Sequence, residues 1–239
     1  MTWTEEHRAE IDAVALNNSR RIICDHTDPA YDARRRNSSY SHNGAYYYSC
    51  EIVENIIPRI ETDRPWVTIH QQGRCDDHAI VFIHNNLNPQ WYSWMGRFKD
   101  LVLVCGMPET CAKVAHIGQP IYLPLSIDVE HVKLFERPKD RDAAYVGRRS
   151  KRFTEVKGTK LPDGIDYIEN MSRDAMLSKM ARYRRVYAVG RCAIEAKALG
   201  CEVLPFDPRY PDPSIWKVLD NKDAAKLLQR LLDEIDGRI

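Results

Sequence analysis

Polar residues that directly follow short apolar runs are the ones best placed to do chemistry in this chain. Asp25 closes RIIC, His70 closes WVTI and His84 closes IVFI. An imidazole titrates near neutral pH, so a strand-end imidazole or carboxylate suits the removal of a proton from a hydroxyl. Asp25 is the carboxylate candidate for that role, and His84 and His70 are the imidazole candidates. A second group lies in Val186–Pro205, VYAVGRCAIEAKALGCEVLP. A strand there runs into the turn Gly190-Arg191-Cys192, a helix follows as far as Gly200, and another strand begins at Cys201. A helix that opens on a glycine turn presents backbone N–H groups and a positive dipole end, which suits a phosphate. Glu195 lies one turn in, and two readings of it stand. Its carboxylate could reach a ribose, or it could only complement the helix dipole and leave it exposed at the helix start.

Basic residues cluster three times: Arg34-Arg35-Arg36, Arg148-Arg149-Ser150-Lys151-Arg152 and Arg182-Tyr183-Arg184-Arg185. Arginine outnumbers lysine, which favours bidentate contacts to phosphate or carboxylate over plain solubility. The first cluster is interleaved with Tyr40, Tyr46, Tyr47 and Tyr48, a combination that suits a phosphate backbone and stacked bases. Solvated surface is the alternative for the second and third clusters, and a loop for a lipid, saccharide or small-molecule acceptor is the alternative for the first.

These residues need a scaffold of strands and helices. Short apolar runs at 66–70, 80–84, 101–105 and 120–125 alternate with helical stretches at 45–60 and 108–116. A second alternation follows, with strands expected at 143–146, 165–168, 185–189 and 203–206 and helices at 173–182 and 222–235. Such alternation predicts α/β architecture with parallel, doubly wound sheets. Ligands of these sheets bind beyond the carboxyl ends of the strands, near a topological switch point. The segment KLFERPKDR, residues 133–141, is charged and poor in apolar residues, so it reads as a linker. The expected organisation is one Rossmann-like half over 1–132, the linker, and a second half over 142–239.

The 239 residues carry a formal net charge of +1, so no global field points to a polyanionic partner. The seven cysteines are irregularly spaced and include no Cys-x-x-Cys pair, which fits reduced thiols in a cytoplasmic protein and no structural zinc. The start of the chain is charged and reads as a helix, not a secretory leader. No apolar run approaches the ~20 residues that cross a bilayer.

The run Glu195-Ala196-Lys197-Ala198-Leu199-Gly200-Cys201-Glu202-Val203 resembles the donor motif E-A-x-A-x-G-x-x-V of retaining glycosyltransferases with the two-domain GT-B fold. Lys99–Val132 is similar to that family's strand and crossover elements, with Asp128 in place of the crossover aspartate. Gly147-Arg148 is similar to the start of its G-R-x-x-x-x-K-G element, and Lys151 or Arg152 stands in for the lysine. Tyr187 occupies the place of an earlier family glutamate. The resemblance implies two Rossmann-like halves and a nucleotide-sugar donor such as UDP-glucose as co-substrate. It implies a sugar transfer that needs no metal or other cofactor. Gly147, Arg148, Lys151, Arg152, Gly190 and Arg191 would meet the donor diphosphate, and Glu195 its ribose. The chain is also similar, in plan and small size, to compact GT-B enzymes of bacterial viruses that glucosylate hydroxymethylated bases. That likeness makes duplex DNA the expected acceptor, held by Arg34, Arg35, Arg36 and Tyr46 in a host cytoplasm. A saccharide or small-molecule acceptor is the first alternative. A relative that binds nucleic acid or nucleotide without catalysis is the second.

Overall fold

The computed structural model describes residues 51–68, 76–83, 93, 95–147, 161–169, 171–206 and 212–238. The fold is α/β, with two four-stranded parallel sheets flanked by helices, as two Rossmann-like halves require. The chain divides into two compact units. Described residues of 51–124 and 224–238 belong to the first, and those of 125–223 to the second.

The first sheet holds β1 (Trp66–Thr68), β2 (Ile80–Ile83), β3 (Val102–Cys105) and β4 (Gln119–Tyr122), side by side in chain order. Every residue of β2 and β3 is buried, because inner strands of a parallel sheet are covered on both faces. Val81, Ile83, Leu103 and Cys105 pack with Val114 of helix α1 (Pro108–Val114) on one side. Trp66 stacks on Phe82, with ring centroids 5.7 Å apart. Before β1 the chain forms one turn of wide helix, Ile52–Ile56, and a short tight helix, Ile57–Arg59, that carries Pro58.

The second sheet has the order β6-β5-β7-β8, with β5 at Arg141–Val146, β6 at Asp166–Ile168, β7 at Tyr183–Tyr187 and β8 at Glu202–Leu204. Helix α2 (Val129–Lys133) precedes it. Helices α3 (Arg173–Met180) and α4 (Arg191–Ala198) follow β6 and β7 and pack on each other. Asp128 caps α2: its Oδ1 accepts the His131 N–H at 2.9 Å. The last helix, α5 (Asn221–Ile235), starts in the second unit and belongs to the first from Ala224 onward. Just past its end, Arg64 donates to Asp236 Oδ1 at 2.9 and 3.0 Å.

Two boundaries differ from the sequence expectation. The division falls at Leu125, not around 133–141, and the last helix groups with the first unit. Residues 133–141 lie within the second unit and are pinned there. Lys139 Nζ donates to the carbonyls of Ala181 (2.8 Å) and Leu199 (2.6 Å), and Asp140 pairs with Arg182. The charges that suggested a linker are the groups that fasten the segment.

Candidate functional site

In a sheet of order β6-β5-β7-β8 the connections leaving β5 and β7 run to opposite sides, so the crevice lies past the ends of those two strands. Register pairs Tyr145 with Tyr187, so Gly147 and the turn at Gly190 follow the ends of adjacent parallel strands. Gly147 still donates its N–H to the Ile168 carbonyl at 3.2 Å. A Cβ at Gly147 would lie 2.8 Å from the Tyr145 hydroxyl, so no larger residue fits beside that ring without movement. Gly190 has φ +61° and ψ −135°, a conformation that L side chains rarely adopt. Its carbonyl accepts the N–H groups of Ala193 (3.0 Å) and Ile194 (3.2 Å), which starts α4 abruptly at the strand end.

Arg191 is the first residue of α4 and Arg173 the first of α3. A cation at a helix N-terminus meets the positive end of the dipole and gains from an anionic partner. Glu195 is that partner for both. Its Oε1 accepts from Arg191 Nε and Arg173 Nε, each at 2.9 Å. Glu195 is 1% exposed, Arg173 8% and Arg191 7%. The expectation of an exposed Glu195 is therefore overturned: the helix turns this carboxylate inward against α3. The carboxylate does more than complement a dipole, since it joins two helix starts through one buried ion triplet.

Gly147 and Gly190-Arg191 thus follow the ends of β5 and β7, and of the expected donor residues only Arg191 and Glu195 are shown in contact among the described residues. Arg148, Lys151 and Arg152 lie outside the described residues, as do Asp25, His70, His84, Arg34, Arg35, Arg36 and Tyr46. The strands that lead toward His70 and His84, β1 and β2, are parallel neighbours with Thr68 opposite Phe82. The third basic cluster sits at the other edge of the second sheet. Arg182 pairs with Asp140 and Arg185 with Asp142. At that edge Asp166 accepts the Tyr183 hydroxyl at 2.7 Å and Arg141 Nη1 at 2.9 Å. The tyrosine hydrogen bond, then the arginine, holds the Asp166 carboxyl below the usual aspartate range. Burial, then the Asp166 contact, pushes the Tyr183 phenol up.

Arg173 is the member of the site that sequence reasoning missed. The signal was a cation directly after the N-capping Ser172, a place the helix dipole disfavours without a partner. In the first unit the thiol of Cys105, the last residue of β3, contacts that of Cys111 in α1, and burial pushes both upward. Among the described residues, no group of three or more His, Cys, Asp and Glu is arranged to hold a metal ion. Among them, too, no helix is long and apolar enough to cross a membrane. The chain matches no family model, and no curated protein matches it significantly.

Proposed function

We propose that this chain is a glycosyltransferase that moves a sugar from a nucleotide-sugar donor to an acceptor hydroxyl. The observation that supports the reading is the switch point of the second sheet, where β5 and β7 are neighbours and α4 opens directly after β7 at Gly190-Arg191. The leaving group of such a transfer is a nucleoside diphosphate. Its growing negative charge needs fixed cations and N–H groups, held in place before the reaction. Arg191 and the start of α4 supply these from the described residues, and Arg148, Lys151 and Arg152 are the further cations proposed for it. Asp25, His84 or His70 would take the acceptor proton. The acceptor proposed is a hydroxymethylated pyrimidine in viral duplex DNA, contacted by Arg34, Arg35, Arg36 and Tyr46. The target base would have to leave the stack to react. The place of action would be a host cytoplasm.

One observation favours a second reading, a protein that binds nucleotide or nucleic acid without transfer. Glu195, the residue of the donor motif, is turned away from solvent and engaged by two arginines. The two readings separate in one experiment. The protein is incubated with a panel of sugar nucleotides, and released nucleoside diphosphate is measured with and without duplex DNA containing hydroxymethylcytosine or hydroxymethyluracil. Mass spectrometry then looks for a sugar adduct on the base. Diphosphate release with an adduct supports the transferase and its acceptor. Release without an adduct moves the acceptor to a saccharide or small molecule. No release from any donor, alongside measurable nucleotide binding, favours the second reading.

A further inference from the structure

Among the described residues, two free cysteines touch each other. Cys105 ends β3 and is 0% exposed, within the core cluster of the first unit. Cys111 lies in α1, packs against that cluster and is partly open to solvent. Only Gly106 and Met107 separate the strand from the helix. The contact is not symmetrical. Cys105 donates its S–H to the Cys111 sulfur, which also accepts the backbone N–H of Cys111 itself. The Leu103 carbonyl, 3.4 Å from Cys105 Sγ, is the other acceptor within reach of that S–H. Both bonds to the Cys111 sulfur favour negative charge there, so it is the better nucleophile of the two. Burial opposes charge on both thiols and pushes Cys105 far above the ordinary thiol range. Cys105 therefore keeps its proton, and the pair is reduced at rest.

We infer that Cys105 and Cys111 form an oxidative modification site, in which a peroxide oxidises Cys111 and Cys105 resolves it to a disulfide that ties the end of β3 to α1. The Cys111 sulfur attacks one peroxide oxygen and the O–O bond breaks. Cys111 becomes a sulfenic acid, and the other oxygen leaves as water. The Cys105 sulfur then attacks the Cys111 sulfur, an S–S bond forms and the S–O bond breaks. The hydroxyl leaves as a second water with the Cys105 proton. Two thiols lose two electrons in all, and the peroxide takes them. Cys111 meets the oxidant because it is the more open of the two, and Cys105 is already in contact with it. Cys105 pairs in register with Ile83, and Gly106 donates its N–H to the Ile83 carbonyl at 3.0 Å. The crosslink therefore lies at the carboxyl end of the first sheet, the edge where parallel sheets bind their ligands. The site stands or falls without the transferase reading.

The test treats the folded full chain with hydrogen peroxide, blocks the remaining thiols with iodoacetamide and reads the tryptic peptides by mass spectrometry. Trypsin releases both cysteines in one peptide, Asp100–Lys113. In the parent this peptide should become two hydrogens lighter than its reduced form and take up no iodoacetamide. Dithiothreitol should restore both alkylation sites. A sulfoxide at Met107 adds an oxygen and is told apart by mass. Cys105→Ser should stop at a sulfenic acid on Cys111, which dimedone traps. Cys111→Ser should leave Cys105 reduced, because the sulfur that meets the oxidant is gone. Since Cys105 is fully buried, Cys105→Ala is made beside Cys105→Ser, and whichever keeps the parent's circular dichroism is used. No lighter peptide in the parent, at a peroxide dose that fully oxidises a glutathione control, would overturn the site. So would a disulfide that forms only in urea, since it would belong to the unfolded chain. Dimedone on Cys105 in Cys111→Ser, or none on Cys111 in the Cys105 variant, would overturn the roles assigned to the two sulfurs.

Discussion

Glu195 holds two guanidinium groups on one carboxylate oxygen, so its loss should be felt in stability before it is felt in binding. Removing one partner from a buried ion pair leaves uncompensated charge in a poorly solvated place. Glu195→Ala is expected to cost about 3–5 kcal/mol in urea unfolding, since two buried arginines would be stranded. Glu195→Gln keeps the shape and an acceptor oxygen, and should cost clearly less. Equal and small losses in the two variants would contradict a buried triplet. Gly190 invites a separate test. Alanine there must take φ +61° and ψ −135° or move the turn, and the strain should lower stability by about 1–3 kcal/mol in thermal unfolding. An unchanged melting temperature would mean that the turn relaxes freely.

At the scale of elements, much was legible because the signals were local. The fully buried β2 and β3 announced themselves as runs of Ile, Val, Phe and Leu, and α4 was bracketed by Gly190 and Gly200. Gly200 has φ +73°, the left-handed stop expected at a helix C-terminus. What escaped depended on distant partners. Arg173 and Glu195 are 22 positions apart, and no local pattern says that they meet. Helix α2 is a single turn that relies on the Asp128 cap, too short for periodicity to reveal. The charged segment before β5 resembled a linker because Lys139 finds its acceptors on the ends of two other helices. Lys139→Met should therefore destabilise the second unit by about 1–3 kcal/mol, because the Ala181 and Leu199 carbonyls lose a charged donor. A urea titration measures this, and a neutral result would make the contact incidental. At the opposite strand edge, Asp166 makes a pH-dependent contribution. Its carboxyl is held low by Tyr183 and then Arg141, so it stabilises fully above the ordinary aspartate value of 3.8. That contribution is lost as pH falls through the lower folded-state value. Asp166→Asn should be less stable than the parent at neutral pH, and the gap should narrow during acid titration.

At the scale of the whole molecule, two parallel sheets each carry their own buried strands, while the formal charge of the chain is only +1. A nearly neutral protein draws no polyanion by its overall field, so any grip on duplex DNA must come from local clusters. Arg34-Arg35-Arg36 is the cluster proposed for it. Each phosphate neutralised by a cation releases counterions, which steepens the fall of affinity with salt by about 0.9 per contact in a log–log plot. Replacing all three arginines by alanine should flatten that slope by up to about 2.7 and weaken binding to every duplex sequence alike. Binding of pyrophosphate or a nucleoside diphosphate should be untouched, because the donor cations proposed are a separate set. Fluorescence anisotropy with hydroxymethylated and plain duplexes over a salt series reads both quantities. A slope that does not change in the triple variant removes these arginines from any DNA contact. A slope near zero in the parent removes duplex DNA itself, and turns the search for the acceptor to uncharged hydroxyl compounds.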